Sequence, residues 1–213
     1  MTVENLSLSE FKGAMLAVAD GMIASKDLLT QADQAIGDGD HGIGMARGFE
    51  AVKAMLSEKN FAQIEEVFFS TGSSLLASIG GASGAIFGSF FMGAAKGVKG
   101  CIELDAQGFK NALASGLEMV KKRGGANIGD KTMVDALEPA VQAATAYGGN
   151  SLSELCLQVY TAAEAGMQQT KTFTAKIGKA KTLGERTLGF ADPGSISITL
   201  IFKFFSNYLE QMA

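Results

Sequence analysis

The sequence predicts an all-α protein built as one domain, and three observations carry that expectation. Apolar residues fill 47% of the 213 positions while Trp is absent and Pro occurs twice, a balance that favours helices over sheets. Apolar side chains recur three or four positions apart along successive stretches, the spacing of a helix face. No Pro-rich or Ser-rich linker divides residues 1–213, a length that buries a single sizeable core.

The elements follow in order. Ser7-Leu-Ser-Glu10 has the spacing of a capping box, in which hydroxyl and carboxylate satisfy orphan amides, and it opens a helix to about Ala32. A second helix spans Gly42 to Glu58, with Met45, Phe49, Val52 and Leu56 on one face. Phe61 to Ser78 and Ala82 to Lys96 form a third and a fourth, separated by a glycine cluster that permits sharp turning. Asp105 caps a fifth, which closes on Lys121-Lys-Arg123 at the negative helix end and stops at Gly124-Gly125. A sixth covers Asp130 to Tyr147, and Ser151-Leu-Ser-Glu154 repeats the capping box before a seventh that runs to about Thr170. After a long loop, Asp192-Pro-Gly194 opens the last element. The alternation of Ile196, Ile198 and Leu200 also fits a strand, but no second strand offers a partner, so a helix is expected.

Charge and composition exclude several function classes. A net charge of −4 argues against nucleic acid, whose binders show a basic excess or stripe. Cys101 and Cys156 stand apart with no C-x-x-C pair, so reduced thiols are expected rather than a zinc ribbon or a disulfide framework. The N-terminal stretch lacks a basic segment followed by an apolar one, which makes the cytoplasm the expected compartment. Val67 to Ala95 carries no charge, is long enough to span a bilayer and contains Gly84-x-x-x-Gly88. The interrupting Gly80-Gly-Ala-Ser-Gly84 and the missing aromatic belt favour buried helices of a protein outside the membrane.

The chemistry concentrates at Asp33-Gln-Ala-Ile-Gly-Asp38-Gly-Asp40-His41-Gly42, where three carboxylates fall close together at a turn between helices. Their mutual repulsion is expected to raise at least one pKa and to cost stability unless a cation sits among them. Hard oxygen ligands without cysteine suit Mg²⁺ or Ca²⁺ better than Zn²⁺, and Mg²⁺ brings substrate phosphates into its shell. Loop-capping aspartates are the other reading of the same spacing. Gly37-x-Gly39-x-x-Gly42 matches a dinucleotide fingerprint but lacks the preceding strand, and Asp130 between Gly129 and Lys131 breaks a P-loop. An EF-hand fails because Phe49 occupies the position of the bidentate glutamate.

Gly80 to Gly84 offers backbone amides and the Ser83 hydroxyl at a helix start, suited either to a phosphate or to close helix packing. Lys171, Lys176, Lys179, Lys181 and Arg186 give the following loop a basic character that fits a cover over phosphates or a plain solvated loop. His41 is the sole histidine, and no G-x-S-x-G elbow accompanies it, so a serine hydrolase is not supported.

Taken together, Ile36-Gly-Asp-Gly-Asp-His-Gly42, Gly80-Gly-Ala-Ser-Gly84, Gly129-Asp-Lys-Thr-Met133, Leu183-Gly-Glu-Arg186 and Asp192-Pro-Gly194 resemble the dihydroxyacetone kinase L family in order and spacing. The resemblance spans nearly the whole chain. It implies a barrel of eight antiparallel helices with a nucleotide at one rim. It implies that Asp33, Asp38 and Asp40 ligate a pair of Mg²⁺ ions bridging the phosphates of ADP. His41, Gly42, Ile43 and Gly44 would then line the nucleotide, and Ala82 and Ser83 would contact phosphate. Gly124 and Met133 would pack near the adenine, and Lys179 with Asp192, Pro193 and Gly194 would close the site.

Two positions depart from the family pattern: Gly44 stands where asparagine is usual, and Lys179 often where arginine is found, which keeps the charge but loses the planar fork. The implied activity is that of the phosphoenolpyruvate-dependent kinase, in which a phosphohistidine on an M subunit recharges retained ADP and the phosphoryl group passes to dihydroxyacetone on a K subunit. A homodimer is compatible with the resemblance. The rival readings are the nucleotide domain of an ATP-dependent kinase or of a fatty-acid kinase, whose usual D-G-D-T-G is unlike the His41 motif, and a regulatory module without catalysis.

Overall fold

In the computed structural model, which describes residues 2–213, the helical expectation becomes nine α-helices and one two-stranded sheet among the described residues. The sheet joins β1 (Asn5–Ser7) to β2 (Glu103–Asp105) in antiparallel register, with Leu6 opposite Leu104. Both leucines are fully buried beneath it. With three residues a side, these strands are too short to leave a periodic signal in the sequence.

The helices are α1 (Leu8–Ala24), α2 (Lys26–Ile36), α3 (His41–Glu58), α4 (Ile64–Ser78), α5 (Gly81–Gly97), α6 (Ala106–Gly124), α7 (Val134–Ala146), α8 (Leu152–Gln169) and α9 (Pro193–Met212). Four of their caps are ones the sequence announces, although at α8 the Glu154 carboxylate accepts from the Tyr147 hydroxyl at 2.9 Å and does not complete the expected second capping box. Ser7 and Glu10 complete a reciprocal capping box at α1, while Asp105, Ser151 and Asp192 each accept a backbone N–H at α6, α8 and α9. The ambiguous last element is a helix of 20 residues opened by Pro193.

Three boundaries differ from the sequence reading, each for a local reason. The first predicted helix is two helices, broken at Ser25, whose hydroxyl donates to the Gly21 carbonyl at 2.7 Å. The second of these runs on to Ile36, so Asp33 lies on a helix and not in the turn. The sixth predicted helix begins at Val134 rather than Asp130, because the Asp130 carboxylate accepts from Asn127 N and Lys131 takes a positive φ of 60°. The long loop is partly ordered as 3₁₀ turns at Thr170–Thr172 and Lys179–Thr187.

Packing follows the chain. α1 rests on α3, α3 on α4, and so on through α8 on α9, and α9 returns to α1, while α2 lies mainly against α3 outside that circuit. Phenylalanines fill the middle: Phe11 meets Phe68 and Phe205, Phe90 meets Phe91 and Phe202, and Phe109 stacks on Phe205 at 5.4 Å. The uncharged stretch is a helix pair, α4 and α5, in which Gly72 and Gly88 bring the backbones together. A Cβ on Gly72 would stand 2.7 Å from the Gly88 carbonyl, and one on Gly88 would stand 2.9 Å from that of Gly72. Among the described residues no helix is long and apolar enough to cross a membrane.

Candidate functional site

One cleft of about 600 Å³ gathers most of the residues singled out from the sequence. Its walls are the first residues of alternate helices. His41 opens α3, Gly81 to Ser83 open α5, Thr132 and Met133 precede α7, and Pro193 and Gly194 open α9. Four helix N-termini thus face a common space, and their free amides and dipoles give it affinity for anions.

Against this positive background stands the aspartate cluster. Asp33 projects from the last turn of α2, and Asp38 and Asp40 from the link to α3, a link that Gly39 turns with φ of 78°. One oxygen from each carboxylate lies within 4.8 Å of the others, a spacing that suits a shared cation. A cation from the protein itself occupies part of this position: Lys179 Nζ donates to Asp38 at 2.5 Å and to Asp40 at 3.0 Å. That hydrogen bond holds the Asp38 carboxyl below its usual pKa, and the two carboxylates hold the Lys179 ammonium well above its own. The Asp33 carboxylate accepts from His41 N at 3.2 Å, which fixes α2 against the start of α3. The donor set is all oxygen and convergent, and an ammonium already sits on it, so the residues fit a hard divalent ion such as Mg²⁺.

His41 is buried, with Nε2 2.7 Å from Ser197 Oγ and Nδ1 3.3 Å from Ser83 Oγ. Burial pushes its imidazole pKa down, against the opposing pull of Asp33 and Asp40. The neutral ring therefore ties α3 to α5 and α9 at the cleft floor. Ile43, Gly44, Ala82, Ser83, Met133, Lys179, Asp192, Pro193 and Gly194 all line the cleft. Gly42 and Gly124 do not. Gly42 faces α2, where a Cβ would meet Lys26 O and both the amide and hydroxyl of Thr30. Gly124 lies behind the cleft residue Ile86, whose Cδ1 is 3.0 Å from its would-be Cβ.

The sequence reading missed three polar groups. Arg47 lines the cleft and donates from Nε to Ser78 O and from Nη2 to Ile79 O, each at 2.6 Å, so it holds the end of α4 just before the glycine turn. Helical spacing from Ile43 gave the available signal, since positions four apart share a face. Asp135, pushed up in pKa by burial, accepts from Gly129 N and Thr132 N and so shapes the turn before α7. Lys131 is buried at the cleft edge; in sequence it stood inside the Gly129-Asp-Lys-Thr-Met133 motif with no role attached. Asp192 caps α9 through Ser195 N at 2.6 Å, and burial pushes its carboxyl up to about 7.

Comparison with known proteins identifies relatives of this chain. The DAK2 domain family matches residues 35–207. A relative from Listeria innocua serovar 6a, PEP-dependent dihydroxyacetone kinase 1, ADP-binding subunit DhaL, is 41% identical over 84% of this chain and 85% of its own. The ADP-binding subunit DhaL of the PEP-dependent dihydroxyacetone kinase of Escherichia coli K12 is 34% identical over 93% of this chain and 96% of its own. Among solved structures, the dihydroxyacetone kinase of C. freundii in complex with AMP-PNP and Mg²⁺ aligns with a TM-score of 0.72 at 25% identity. That alignment covers 94% of this chain and 34% of the larger protein, so the chain spans about a third of that enzyme. With its mainly helical build, its aspartate cluster and these relatives, the chain belongs to the DAK2 domain family, among the L subunits of the dihydroxyacetone kinases, a family of phosphotransferases.

Proposed function

We propose that this chain is the ADP-carrying subunit of a phosphoenolpyruvate-dependent dihydroxyacetone kinase. The observation that carries the reading is the facing of three convergent carboxylates against four helix N-termini in one cleft. Asp33, Asp38 and Asp40 hold Mg²⁺, as one ion or two. The amides at the starts of α5 and α9 receive phosphate oxygens, and Ser83 adds a hydroxyl. Ile43, Ile86, Met133 and Ile177 supply the apolar surface against which a base packs. Bound Mg²⁺–ADP supplies the phosphoryl acceptor toward a phosphohistidine of an M subunit and, once recharged, the donor toward dihydroxyacetone on a K subunit. The chain's own residues orient and neutralise, which is most of what phosphoryl transfer asks of a protein. Lys179 stands over the carboxylates and places positive charge at the open side of the cleft. His41 is engaged by two serines, so no general base is offered here, in keeping with chemistry completed on partners.

The same reading takes residues 1–213 as one cytoplasmic domain in which the circuit from α1 through α9, with α2 outside, is an antiparallel eight-helix barrel. The resemblance to the L subunits supports it, as does the clustering of alternate helix starts at one rim. The decisive experiment is mass spectrometry of nucleotide released from the purified protein, with and without a chelator, for wild type and Asp38→Ala. Wild type should release ADP on chelation, and the variant should carry none while keeping its helical circular dichroism. Unchanged nucleotide content in Asp38→Ala removes the metal assignment.

A further inference from the structure

Lys131 combines two unfavourable features at one position. It is the single non-glycine residue with positive φ among the described residues, at 60°, where an L side chain is strained. Its side chain is also a buried cation, 2% exposed, and burial lowers its pKa against the support of Asp192 and Asp135. A residue chosen for stability alone would be apolar here, since a buried charge is held at a loss compared with a well-packed hydrophobe. Such strain persists where surrounding structure enforces it, and it gathers at functional sites.

What the ammonium holds is specific. Nζ donates to Thr170 O at 2.5 Å and to Phe190 O at 2.6 Å. These carbonyls stand at the two ends of the segment 171–189 that carries Ile177 and Lys179 over the cleft. The neck is otherwise closed by neutral hydrogen bonds, Gly189 N to Lys171 O at 2.8 Å and Asp192 N to Thr170 Oγ1 at 3.0 Å. A hydrogen bond from a charged donor is roughly twice as strong as a neutral one, so Lys131 is the stronger fastening. It issues from the loop that leads to Met133 in the cleft wall, and Asp130 in that loop accepts from Lys176 N at 3.1 Å.

We infer that Lys131 is a positioning residue for the nucleotide cover: its ammonium pins both ends of segment 171–189, keeps Lys179 over the aspartates, and so sets how long a bound nucleoside diphosphate stays. The ligand in this statement rests on the nucleotide reading proposed above, whereas the pinning of the segment does not.

Two variants separate the pin from the backbone. Glycine adopts positive φ without strain, so Lys131→Gly deletes the ammonium and relieves the backbone, while Lys131→Met deletes the ammonium and keeps the strain. Hydrogen exchange of the nucleotide-free proteins, followed by mass spectrometry, reads the segment directly. Release of a fluorescent ADP analogue in a stopped-flow instrument reads the consequence. Both variants should exchange faster within 171–190 while α1 to α6 stay protected as in wild type. Both should release the analogue at least about tenfold faster, a change equivalent to about 1.4 kcal/mol, and Lys131→Arg should recover most of the loss. Wild-type exchange across 171–190 in Lys131→Gly would overturn the inference, as would faster exchange throughout the chain or faster local exchange with unchanged release. If wild type binds no analogue at all, the nucleotide reading fails, and the exchange experiment alone decides whether Lys131 pins the segment.

Discussion

Replacing Asp192 with Asn tests the electrostatics of the cleft wall without removing the helix cap. An asparagine oxygen still accepts from Ser195 N, so α9 keeps its start, and only the ionisation is lost. In the folded protein burial raises the Asp192 carboxyl from 3.8 to about 7. The folded state therefore binds this proton more tightly than the unfolded chain does. Its stabilising contribution is complete below pH 3.8 and is lost as pH rises to about 7. A shift of that size corresponds to at most ~4 kcal/mol, a figure in which the opposing pull of the Ser195 and Gly194 amides, which favour the carboxylate, is already included. His41 works in the opposite direction. Its pKa is held below 6.5, so its contribution is lost as pH falls through the range below that value. The wild-type curve mixes these with Asp135, whose carboxyl burial also pushes up, and the difference between wild type and Asp192→Asn removes what the two proteins share. Urea unfolding of both nucleotide-free proteins between pH 4.5 and 7.5 gives that difference. Wild type should lose stability relative to the variant across the window and level off near the top of it. Two curves that stay parallel would show that Asp192 is not a proton-holding group and that the reasoning is wrong.

Three further outcomes follow from distances in the same region. Gly42→Ala drives a methyl group into the Lys26 carbonyl and the Thr30 amide, so it should destabilise by about 1–3 kcal/mol, read by urea unfolding, and weaken Mn²⁺ binding by separating α2 from α3. Gly44→Ala meets only Ile79, at 3.3 Å from Cγ2 and 3.5 Å from the carbonyl, and should leave the unfolding midpoint close to wild type. Lys179→Met removes the ammonium that shares Asp38 and Asp40, so isothermal titration should show tighter Mn²⁺ binding without nucleotide and faster loss of nucleotide once it is bound.

The sequence disclosed those parts of the fold that depend on neighbours along the chain. Ser7 with Glu10, Asp105, Ser151 and Asp192 announced helix starts because a cap is a contact across three residues. The break at Ser25 was hidden because serine tolerates a helix interior until its hydroxyl turns back to the Gly21 carbonyl. The pairing of Leu6 with Leu104 was hidden for another reason: it joins segments 98 residues apart, and strands of three residues have no period to detect. At the site, Asp33, Asp38 and Asp40 stood out because like charges crowded in sequence demand an explanation. Arg47, Lys131 and Asp135 look like ordinary surface charges until the fold brings their partners, Ile79, Thr170 and Phe190, and Gly129, into reach. Gly42, which the resemblance placed at the nucleotide, packs closely against Lys26 and Thr30 of α2, a contact no motif discloses.

The position of the site follows from the arrangement of the helices. Four helices, α3, α5, α7 and α9, begin at the cleft. Such a helix start carries partial positive charge and unpaired amides before any side chain is considered. The carboxylates oppose it in a particular way. Asp33 lies in the last turn of α2, at the negative end of that dipole, with Asp38 and Asp40 beside it. Lys179 relieves Asp38 and Asp40, while Asp33 receives a backbone amide from His41. The cleft thus presents two demands side by side, anions for the helix starts and a cation for the carboxylates, which Lys179 meets only in part. A metal–phosphate pair satisfies both at once, whereas a bare metal or a bare phosphate leaves one of them standing. On this argument metal and nucleotide should bind with positive coupling, and each alone should bind weakly.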